Sequence, residues 1–291
     1  MSKARILLTG GTGQVGQAVM HHAAEKGLDI FAPDRSRLDL TNAQSIAEMV
    51  AINSWSAVIN CAAFTAVDRA ETDIELAEQV NAVAPAILAR ETAKRDIPII
   101  HVSTDYVFDG TKSAPYVEED SVNPLGVYGR TKEKGESAVR ALNPRHVIIR
   151  TAWVVSAGGA NFVNTMIRLA SERPEINVVD DQIGCPSNAS DIAQTLLAMA
   201  EQGQAQHGTW HFVNSGEASW FDLAGRIFAE MKRRGRAVPV LNAIPTSQYP
   251  TPAQRPRNSR LSTTAIQRDF AIKPRHWHEA IESILAERFS M

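Results

Sequence analysis

The sequence predicts an α/β fold built on a doubly wound parallel sheet, and two observations lead to this prediction. Short apolar runs alternate with amphipathic stretches over residues 5–151, as strands do when crossover helices join them into a parallel sheet. A glycine-rich turn directly follows the first apolar run, and such a turn opens the first crossover of Rossmann-type sheets. The chain has 291 residues, which is long enough for a second, smaller and discontinuous α/β lobe.

The elements of the first lobe can be assigned in chain order. Apolar runs predict strands at residues 5–8, 29–32, 57–60, 97–103 and 146–151. Amphipathic stretches predict helices at residues 13–26, 43–52 and 74–95, and a further helix that begins after Pro124. Pro85 lies inside the third of these helices and predicts a kink or a junction there, because proline cannot donate a backbone hydrogen bond.

The second lobe begins beyond Trp153, where the alternation loosens. The sequence predicts short strands at 176–179 and 209–213 and amphipathic helices at 161–172, 191–202, 219–234 and 274–288. Residues 239–260 are rich in Pro, Ser, Thr and Asn and predict an ordered loop over a site. We therefore expect one domain at residues 1–152 with part of 190–215, and a second, discontinuous domain at 153–189 and 216–291.

The composition indicates a cytoplasmic protein that binds neither nucleic acid nor membranes. The net charge is −2, so no basic surface for polyanions is expected. The apolar run within the first ten residues is too short for a signal peptide, and the later run at 147–155 is too short to span a bilayer. Cys61 and Cys185 are isolated and the eight histidines form no ligand pattern, so reduced thiols and no metal site are predicted.

The glycine-rich turn is a candidate dinucleotide site. Its glycines, Gly10, Gly13 and Gly16, follow a predicted strand and open a predicted helix, which is the setting that a bound pyrophosphate requires. Gly10 allows the tight turn, Gly13 lets phosphate approach the backbone N–H groups, and Gly16 allows close packing of the helix. The alternative is a structural turn without a ligand. The predicted cofactor contacts in this turn are Gly10, Thr12, Gly13, Gln14 and Val15.

The residues after the second strand bear on the choice of cofactor. Asp34 ends this strand, where an acid usually holds the ribose hydroxyls of NAD. Arg35 and Arg37 follow, and a guanidinium there can pair with the 2′-phosphate of NADP. We therefore expect NADPH, with NADH tolerated; the alternative is a solvated surface turn. Further cofactor contacts are predicted at positions that can flank the adenine or that follow the third strand with small side chains: Asp39, Leu40, Ala62 and Ala63.

Three side chains are predicted to carry the chemistry. Thr104 ends the fourth strand, and ligands of open α/β sheets bind at the carboxyl ends of strands. Tyr128 and Lys132 are four residues apart, so they share one helix face. Tyr128 is the predicted proton donor, and Lys132 is expected to lower the pKa of the phenol and bind the nicotinamide ribose. This set predicts hydride transfer between a nicotinamide and a carbonyl or alcohol carbon, whereas the alternative is a surface tyrosine beside a surface lysine.

These motifs resemble the extended short-chain dehydrogenase/reductase family. Longer strings from about residue 4 to the C-terminus are similar to those of dTDP-4-dehydrorhamnose reductases. The strings are Thr-Gly-x-x-Gly-Gln-Val-Gly at 9–16, Ser-Thr-Asp-Tyr-Val-Phe-Asp-Gly at 103–110, Asp-Gln-x-Gly-x-Pro at 181–186 and Tyr-Pro-Thr-Pro-Ala-x-Arg-Pro-x-Asn-Ser-x-Leu at 249–261. The residues 252–261 are the most specific part.

The resemblance implies NADPH-dependent reduction of the C4 ketone of dTDP-4-dehydro-6-deoxy-L-mannose (dTDP-4-dehydrorhamnose) to dTDP-L-rhamnose, the last step of dTDP-rhamnose synthesis. It implies that Tyr128 donates the proton and that Thr104 and Lys132 assist. It also implies a further cofactor contact at Thr65. The nucleotide-sugar contacts that it implies are Val67, Thr104, Tyr106, Trp153, Asn161, Gln182 and Arg260. For Trp153, stacking on a sugar or base and packing in the core remain alternatives.

The sequence departs from the family at a few positions. Ser187 replaces the usual threonine after Pro186. Some family members are dimers bridged by magnesium, but Ala18 and Ser190 stand where two of the carboxylates are expected. We therefore expect a monomer or a metal-independent homodimer.

Two alternative functions stay open. One is another nucleotide-sugar 4-ketoreductase or epimerase, which the 252–261 string disfavours. The other is a non-catalytic, cofactor-sensing subunit, since relatives of the family include a regulatory subunit of methionine adenosyltransferase. The intact catalytic set disfavours this second alternative.

Overall fold

The computed structural model describes residues 5–202 and 206–290. The first four residues of the predicted first domain, residues 203–205 of its 190–215 part and residue 291 of the predicted second domain therefore lie outside the described residues. Within these ranges the strands, in chain order β1 to β12, are Arg5–Thr9, Asp29–Phe31, Trp55–Asn60, Ile99–Thr104, His146–Thr151, Val154–Val155, Glu175–Val179, Ile183–Gly184, Ser187–Asn188, Gly208–His211, Ala218–Ser219 and Val240–Ile244.

Six of these strands form one parallel sheet in the order β10-β5-β4-β3-β1-β2. The chain moves outward from β1 to β2 and then crosses to β3 on the opposite side of β1. This reversal creates a crevice at the carboxyl ends of β1 and β3, where ligands of doubly wound sheets bind. The predicted Rossmann-type doubly wound sheet is confirmed.

The helices, in chain order α1 to α11, are Gln14–Lys26, Ala43–Ala51, Val67–Ala70, Ile74–Glu78, Ala84–Ala93, Val127–Leu142, Phe162–Glu172, Ala189–Glu201, Trp220–Arg233, Thr264–Phe270 and Trp277–Ser290. No helix in the described ranges combines the length and apolar character needed to span a membrane.

The segment predicted as one long helix around Pro85 has a junction. A π-helical turn at Gln79–Val83 separates α4 from α5, and Pro85 lies in the first turn of α5. Proline cannot donate to the helical ladder, and a π turn is a common way to accommodate such an interruption. The turn also lets Asn81 approach α6 closely, since a Cβ at Gly135 would lie 2.1 Å from the Asn81 carbonyl oxygen.

Apolar clusters cover both faces of the main sheet. One cluster packs α1 and α8 against the sheet, and the other packs α2, α5 and α6 against the opposite face. A third cluster joins α7, α9 and α11 in the second lobe. Burying each Leu or Ile side chain in these clusters stabilises the folded state by about 1.5–3 kcal/mol relative to leaving it exposed. The domain boundaries predicted from the sequence stay a prediction.

The loop predicted at residues 239–260 is partly wrong. It contains β12, which pairs in parallel with β7 along its whole length, and a 3₁₀ turn at Thr246–Gln248. The composition of the segment does not indicate β12, because the side chains of this strand are mostly half-exposed. The hydrogen bonds of β12 come from β7, which is distant in the sequence. The segment does not line the main cleft described below. The sequence also does not predict the short elements α3, α10, β6, β8, β9 and β11.

Candidate active site

A cleft of about 1120 Å³ lies at the carboxyl ends of β1, β3, β4 and β5. The lining residues come from the glycine turn, the end of β2, the segments after β3 and β4, α6, the segment after β5 and the first residue of α9. Residues of the main sheet and of the second lobe therefore both line this cleft.

The structure brings all predicted cofactor contacts to the cleft. Their role in binding stays a prediction, but their positions fit a dinucleotide that runs from the glycine turn toward α6. They are Gly10, Thr12, Gly13, Gln14, Val15, Asp34, Arg35, Asp39, Leu40, Ala62, Ala63, Thr65, Tyr128 and Lys132.

The three glycines of the turn have different roles. Gly10 has a φ of 73°, and a Cβ there would lie 2.6 Å from the Ala62 nitrogen. A Cβ at Gly16 would lie 2.1 Å from the Gly10 carbonyl oxygen. At Gly13 the nearest such atom is 3.4 Å away, so a side chain there would extend into the cleft. Gly10 and Gly16 are thus required by the turn itself, whereas Gly13 leaves room for a ligand.

The first turn of α1 fits a phosphate group. Gly13 is the N-cap residue of α1, and no side chain in the described structure caps this helix. The leading N–H groups of a helix need partners from outside the helix, and anionic phosphate also interacts favourably with the helix dipole. The residues present therefore fit a dinucleotide pyrophosphate.

The residues after β2 are placed differently from one another. The Asp34 carboxylate accepts hydrogen bonds from the Ser36 hydroxyl (2.6 Å) and the Ser36 and Arg37 backbone N–H groups, which lower its pKa. Arg35 lines the cleft, but Arg37 does not. The Arg37 guanidinium instead lies 4.7 Å from the centre of the Phe31 ring. Of the two candidate partners for a 2′-phosphate, only Arg35 is at the cleft.

The predicted catalytic side chains meet at the centre of the cleft. Thr104, Tyr128 and Lys132 are 5%, 9% and 1% exposed, and all three line the cleft. The N-terminal part of α6 packs closely on the turn after β4, since a Cβ at Gly129 would lie 2.1 Å from the Tyr106 carbonyl oxygen. The ring of Tyr106 stands edge-on to Tyr128, with the ring centres 5.4 Å apart. These contacts hold the Tyr128 phenol in one position.

The protonation of Tyr128 differs from the expectation. Burial raises the pKa of Tyr128 to about 12, although the hydrogen bond with Thr104 opposes this. The expectation that Lys132 lowers this pKa is wrong for this structure. Burial dominates, and the Lys132 amino group donates to the Val102 carbonyl oxygen at 2.7 Å. A tyrosine with a raised pKa keeps its proton at neutral pH, which is the form that a general acid needs.

The charged neighbours of this centre are also buried. Burial lowers the pKa of Lys132 to about 8, against the effect of the Glu136 charge. Asp105 is 3% exposed and lines the cleft, and burial raises its pKa to about 6. Its carboxylate accepts a hydrogen bond from the Thr104 hydroxyl at 3.1 Å. Asp105 is not among the site residues predicted from the sequence, although it directly follows Thr104 in the 103–110 string.

The second lobe contributes aromatic rings to the cleft. The rings of Trp153 and Trp220 stack with centres 3.5 Å apart and planes 8° apart, and both residues line the cleft. Trp153 has a φ of 47°, a strained backbone conformation for a bulky residue. The two alternatives for Trp153 therefore combine, because the ring packs on Trp220 and also borders the cleft.

A hydrogen-bonded contact joins the second lobe to the glycine turn. The Gln14 side-chain oxygen accepts from the Asn161 amide at 2.9 Å and from the Ser156 hydroxyl at 2.7 Å. Asn161 also caps the N-terminus of α7 by accepting from the Asn164 N–H group. Asn161 thus links α7 to the first turn of α1, a role that its position in the sequence does not reveal.

Two predicted substrate contacts are not at the cleft. The amide of Gln182 bonds to Trp220 Nε1 (3.2 Å) and to the Thr246 hydroxyl (3.0 Å), so it lies behind Trp220. The Arg260 guanidinium donates to Glu217, Asn258 and the Ser113 carbonyl oxygen. A motif fixes neither the direction nor the partners of these side chains. The predicted substrate contacts that do line the cleft are Val67, Thr104, Tyr106, Trp153 and Asn161.

Other residues that the sequence did not predict also line the cleft. Gly158 and Gly159 precede the N-cap of α7 and form a second glycine pair, which is a signal that the sequence does contain. Apolar residues such as Phe64 and Leu76 carry no comparable signal. The main omissions are Thr41, Phe64, Leu76, Val80, Asp105, Gly158, Gly159 and Trp220.

One group within the described ranges has the proximity of a metal site. His21, His22 and Glu25 of α1 place one potential ligand atom each within 4.8 Å of the others, and none of them lines the cleft. The prediction that the histidines form no ligand pattern is therefore wrong for this group. Glu25 lies one helical turn beyond His21, which brings the three side chains together. His22 Nε2 also lies 2.7 Å from the Ser190 hydroxyl, so one of its ring nitrogens already has a protein partner.

Sequence comparisons identify relatives over the whole chain. The family model described as the RmlD substrate binding domain matches residues 4–289. A dTDP-4-dehydrorhamnose reductase of Aggregatibacter actinomycetemcomitans is 41% identical and covers 97% of this chain and 99% of its own length. The enzyme of that name from Salmonella typhimurium is 40% identical, with 98% of both chains covered.

Solved structures agree with this assignment. A dTDP-4-dehydrorhamnose reductase from Clostridium acetobutylicum superposes with a TM-score of 0.93 at 36% identity, covering 99% of this chain and 100% of its own. The Bacillus anthracis protein of that name, solved in complex with NADP, has a TM-score of 0.93 at 32% identity and covers 98% and 99%. The chain therefore belongs to the RmlD family of dTDP-4-dehydrorhamnose reductases.

Proposed function

We propose that this chain reduces the C4 ketone of dTDP-4-dehydrorhamnose to dTDP-L-rhamnose with NADPH. The observation that carries the proposal is one cleft that holds the glycine turn together with Thr104, Tyr128 and Lys132. The substrate and cofactor are inferred from relatives about 40% identical over nearly the full chain and from the NADP complex of the Bacillus anthracis relative.

The mechanism follows from the side chains at the centre of the cleft. NADPH supplies the hydride to C4 when it is bound. Tyr128 holds the proton that passes to the C4 oxygen, so the ketone becomes an alcohol with one hydride and one proton added. In this proposal the Thr104 hydroxyl turns from the Asp105 carboxylate to donate to the carbonyl oxygen beside Tyr128, and Lys132 binds the nicotinamide ribose. Hydrogen-bond donors held close to the C4 oxygen stabilise the charge that develops on it.

The second lobe supplies the remaining contacts in this proposal. The stacked rings of Trp153 and Trp220 border the cleft, and aromatic faces suit a sugar or base. Val67, Tyr106 and Asn161 complete the proposed nucleotide-sugar contacts. We also propose that the protein works in the cytoplasm, which its two free cysteines and its use of NADPH support.

The proposed function is tested by turnover. Purified protein is mixed with NADPH and dTDP-4-dehydrorhamnose, NADPH consumption is followed, and the product is identified by mass spectrometry and NMR. We expect dTDP-L-rhamnose. A product with the other C4 configuration, or turnover only of a different nucleotide sugar, would support another ketoreductase or an epimerase. No turnover together with a stable partner enzyme in pull-down would support a regulatory subunit.

Arg35→Ala is expected to raise the KM for NADPH more than the KM for NADH. Arg35 is the guanidinium at the cleft beyond β2, and only NADPH carries the 2′-phosphate with which it can pair. We expect a change of about tenfold for NADPH, or ~1.4 kcal/mol. Steady-state kinetics with both cofactors measure this. Arg37→Ala is the matched control, since Arg37 packs on Phe31. Equal changes of KM for NADPH and NADH in Arg35→Ala would contradict a contact between Arg35 and the 2′-phosphate.

The enzyme is expected to work without a divalent metal, as a monomer or a metal-independent homodimer. Mg²⁺ prefers several oxygen ligands in octahedral array. The Asp191 carboxylate is already bonded to Asn214 and Arg275, Ala18 has no ligand atom, and the Ser190 hydroxyl contacts His22. The check is turnover after exhaustive EDTA treatment, and elution from a sizing column with and without Mg²⁺. Loss of activity or of a dimer on chelation, reversed by Mg²⁺, would contradict this expectation.

A further inference from the structure

A row of buried polar side chains crosses the sheet and ends at Lys132. Thr9 of β1 is the paired neighbour of Asn60 on β3, and Asn60 is the paired neighbour of His101 on β4. Thr9, Asn60 and His101 are 1%, 2% and 0% exposed. Of these three residues, only Thr9 lines the cleft. Burying a polar side chain costs free energy unless it is hydrogen-bonded. The hydrogen bonds along this row therefore fix the orientation of each side chain.

The hydrogen bonds fix the orientation of the Asn60 amide. Its Oδ1 atom accepts from the Thr9 hydroxyl at 2.5 Å and from the Ala62 backbone N–H group at 3.3 Å. A backbone N–H group can only donate, so this end of the amide must be the oxygen. The Asn60 Nδ2 group therefore faces His101 Nδ1 at 2.9 Å and donates to it.

The same bonds select one tautomer of His101. Burial lowers the pKa of His101 well below its ordinary value, and the Lys132 and Arg140 charges act in the same direction, so the imidazole is neutral. A neutral imidazole has one N–H group and one acceptor nitrogen. Because Nδ1 accepts from Asn60, the proton is on Nε2, which lies 3.4 Å from the Lys132 Nζ atom.

We propose that His101, held in this tautomer by Thr9 and Asn60, is a positioning residue for Lys132 that presents an N–H group to its amino group. The proposal rests on the proposed function for its link to catalysis. An N–H group that faces an ammonium opposes the positive charge, whereas it can donate to a neutral amine. The Thr9–Asn60–His101 row therefore favours the neutral amine of Lys132 over its ammonium form. The hydrogen bond to the Val102 carbonyl oxygen fixes the position of the amino group.

Two other ionisable groups lie close to Lys132: Glu136 favours its ammonium form, and Cys61 is uncharged. Glu136, one turn along α6, favours the ammonium, but its carboxylate is shared with Arg150 (2.7 Å) and Arg140 (3.0 Å). Burial raises the pKa of the Cys61 thiol to about 12, so it carries no charge at neutral pH. Burial of Lys132 lowers its pKa to about 8. A modest change at His101 should therefore move the titration of Lys132 within an accessible pH range.

Asn60→Asp is the main test, because it keeps the size of the side chain and reverses the tautomer. A carboxylate can only accept, so His101 must place its proton on Nδ1 and turn the Nε2 lone pair toward Lys132. The new negative charge acts in the same direction. Both changes favour the ammonium, so the pKa of Lys132 should rise by about one unit, the lower end of the effect of a nearby charge.

His101→Gln tests the same contact without a new charge. A glutamine amide can turn its oxygen toward the Lys132 amino group, so the pKa of Lys132 is again expected to rise. His211→Gln is the matched control. His211 is also fully buried, but it approaches Arg150 at 3.5 Å and lies outside the cleft. Thermal unfolding of all variants confirms that each is folded.

The readout is NADPH affinity between pH 6 and 10, measured by fluorescence, since the Lys132 ammonium binds the nicotinamide ribose and its loss weakens binding. The pH above which affinity falls should lie about one unit higher in Asn60→Asp and also move upward in His101→Gln, but stay unchanged in His211→Gln. The alkaline limb of kcat should move with it.

If this pH stays unchanged in both test variants, or moves equally in the control, the proposed role of His101 is wrong. Failure of the wild type to reduce the keto sugar would overturn the proposed function alone, because NADPH titration decides on His101 without substrate.

Discussion

Tyr128→Phe is expected to remove most turnover while leaving the fold and NADPH binding nearly unchanged. The substitution deletes one hydroxyl group, and that group is the proposed proton donor. General acid catalysis of this kind contributes about 10²–10⁴-fold, so kcat should fall by that factor. The ring remains, with its edge-on contact to Tyr106. Loss of this buried hydroxyl should change the unfolding free energy by about 1 kcal/mol.

The measurement is kcat for the keto sugar together with NADPH affinity and the melting temperature of the variant. Tyr106→Phe is the comparison variant, because it removes the neighbouring phenol hydroxyl and leaves Tyr128 in place. Tyr106 is a proposed sugar contact, so the KM for the keto sugar is expected to rise while kcat stays far above that of Tyr128→Phe. A Tyr128→Phe enzyme with the kcat of the wild type would show that the acid lies elsewhere.

The raised pKa of Tyr128 also sets an expectation for the pH dependence. Its folded pKa is about 12, so the phenol keeps its proton through neutral and moderately alkaline pH. Lys132, with a pKa of about 8, loses its proton first as the pH rises. The alkaline limb of the wild-type kcat should therefore follow Lys132, which is why the Asn60 and His101 variants are read on that limb.

The sequence predicts the sheet and its ligand edge well because both depend on local patterns. Apolar runs mark the strands, and the carboxyl ends of neighbouring parallel strands meet at one edge. Thr104 therefore lies at this edge, and Tyr128, in the first turn of α6, lines the same cleft. The glycine turn is also largely local, since it needs a positive φ at Gly10 and close contact between Gly16 and Gly10, although Gly10 also lies against Ala62.

The remaining site residues depend on side-chain directions that sequence patterns do not contain. Arg260 belongs to the most specific string of the chain, yet its guanidinium is bonded to Glu217 and Asn258. The stacking of Trp153 on Trp220 joins residues that are distant in the sequence. The bond from Asn161 to Gln14 likewise crosses between lobes. Such contacts follow from tertiary packing, which only the structure shows.

Gly13→Val is expected to abolish useful NADPH binding without unfolding the protein. The backbone at Gly13 has a φ of −78° and a ψ of 168°, which a β-branched residue adopts without strain. The nearest atom to a Cβ there is 3.4 Å away, so the turn itself can accommodate the new side chain. The isopropyl group would instead occupy the space where a pyrophosphate meets the N–H groups of α1. We expect affinity to fall by about a hundredfold, or ~2.7 kcal/mol.

Gly16→Ala separates this effect from damage to the turn. Its Cβ would lie 2.1 Å from the Gly10 carbonyl oxygen, so the turn must move and the melting temperature should fall along with NADPH affinity. Gly13→Val should lower the affinity and leave the melting temperature near that of the wild type. Fluorescence titration with NADPH and thermal unfolding of both variants distinguish the two cases. Unchanged affinity in Gly13→Val would place the cofactor away from the glycine turn, and with it the hydride donor away from Tyr128.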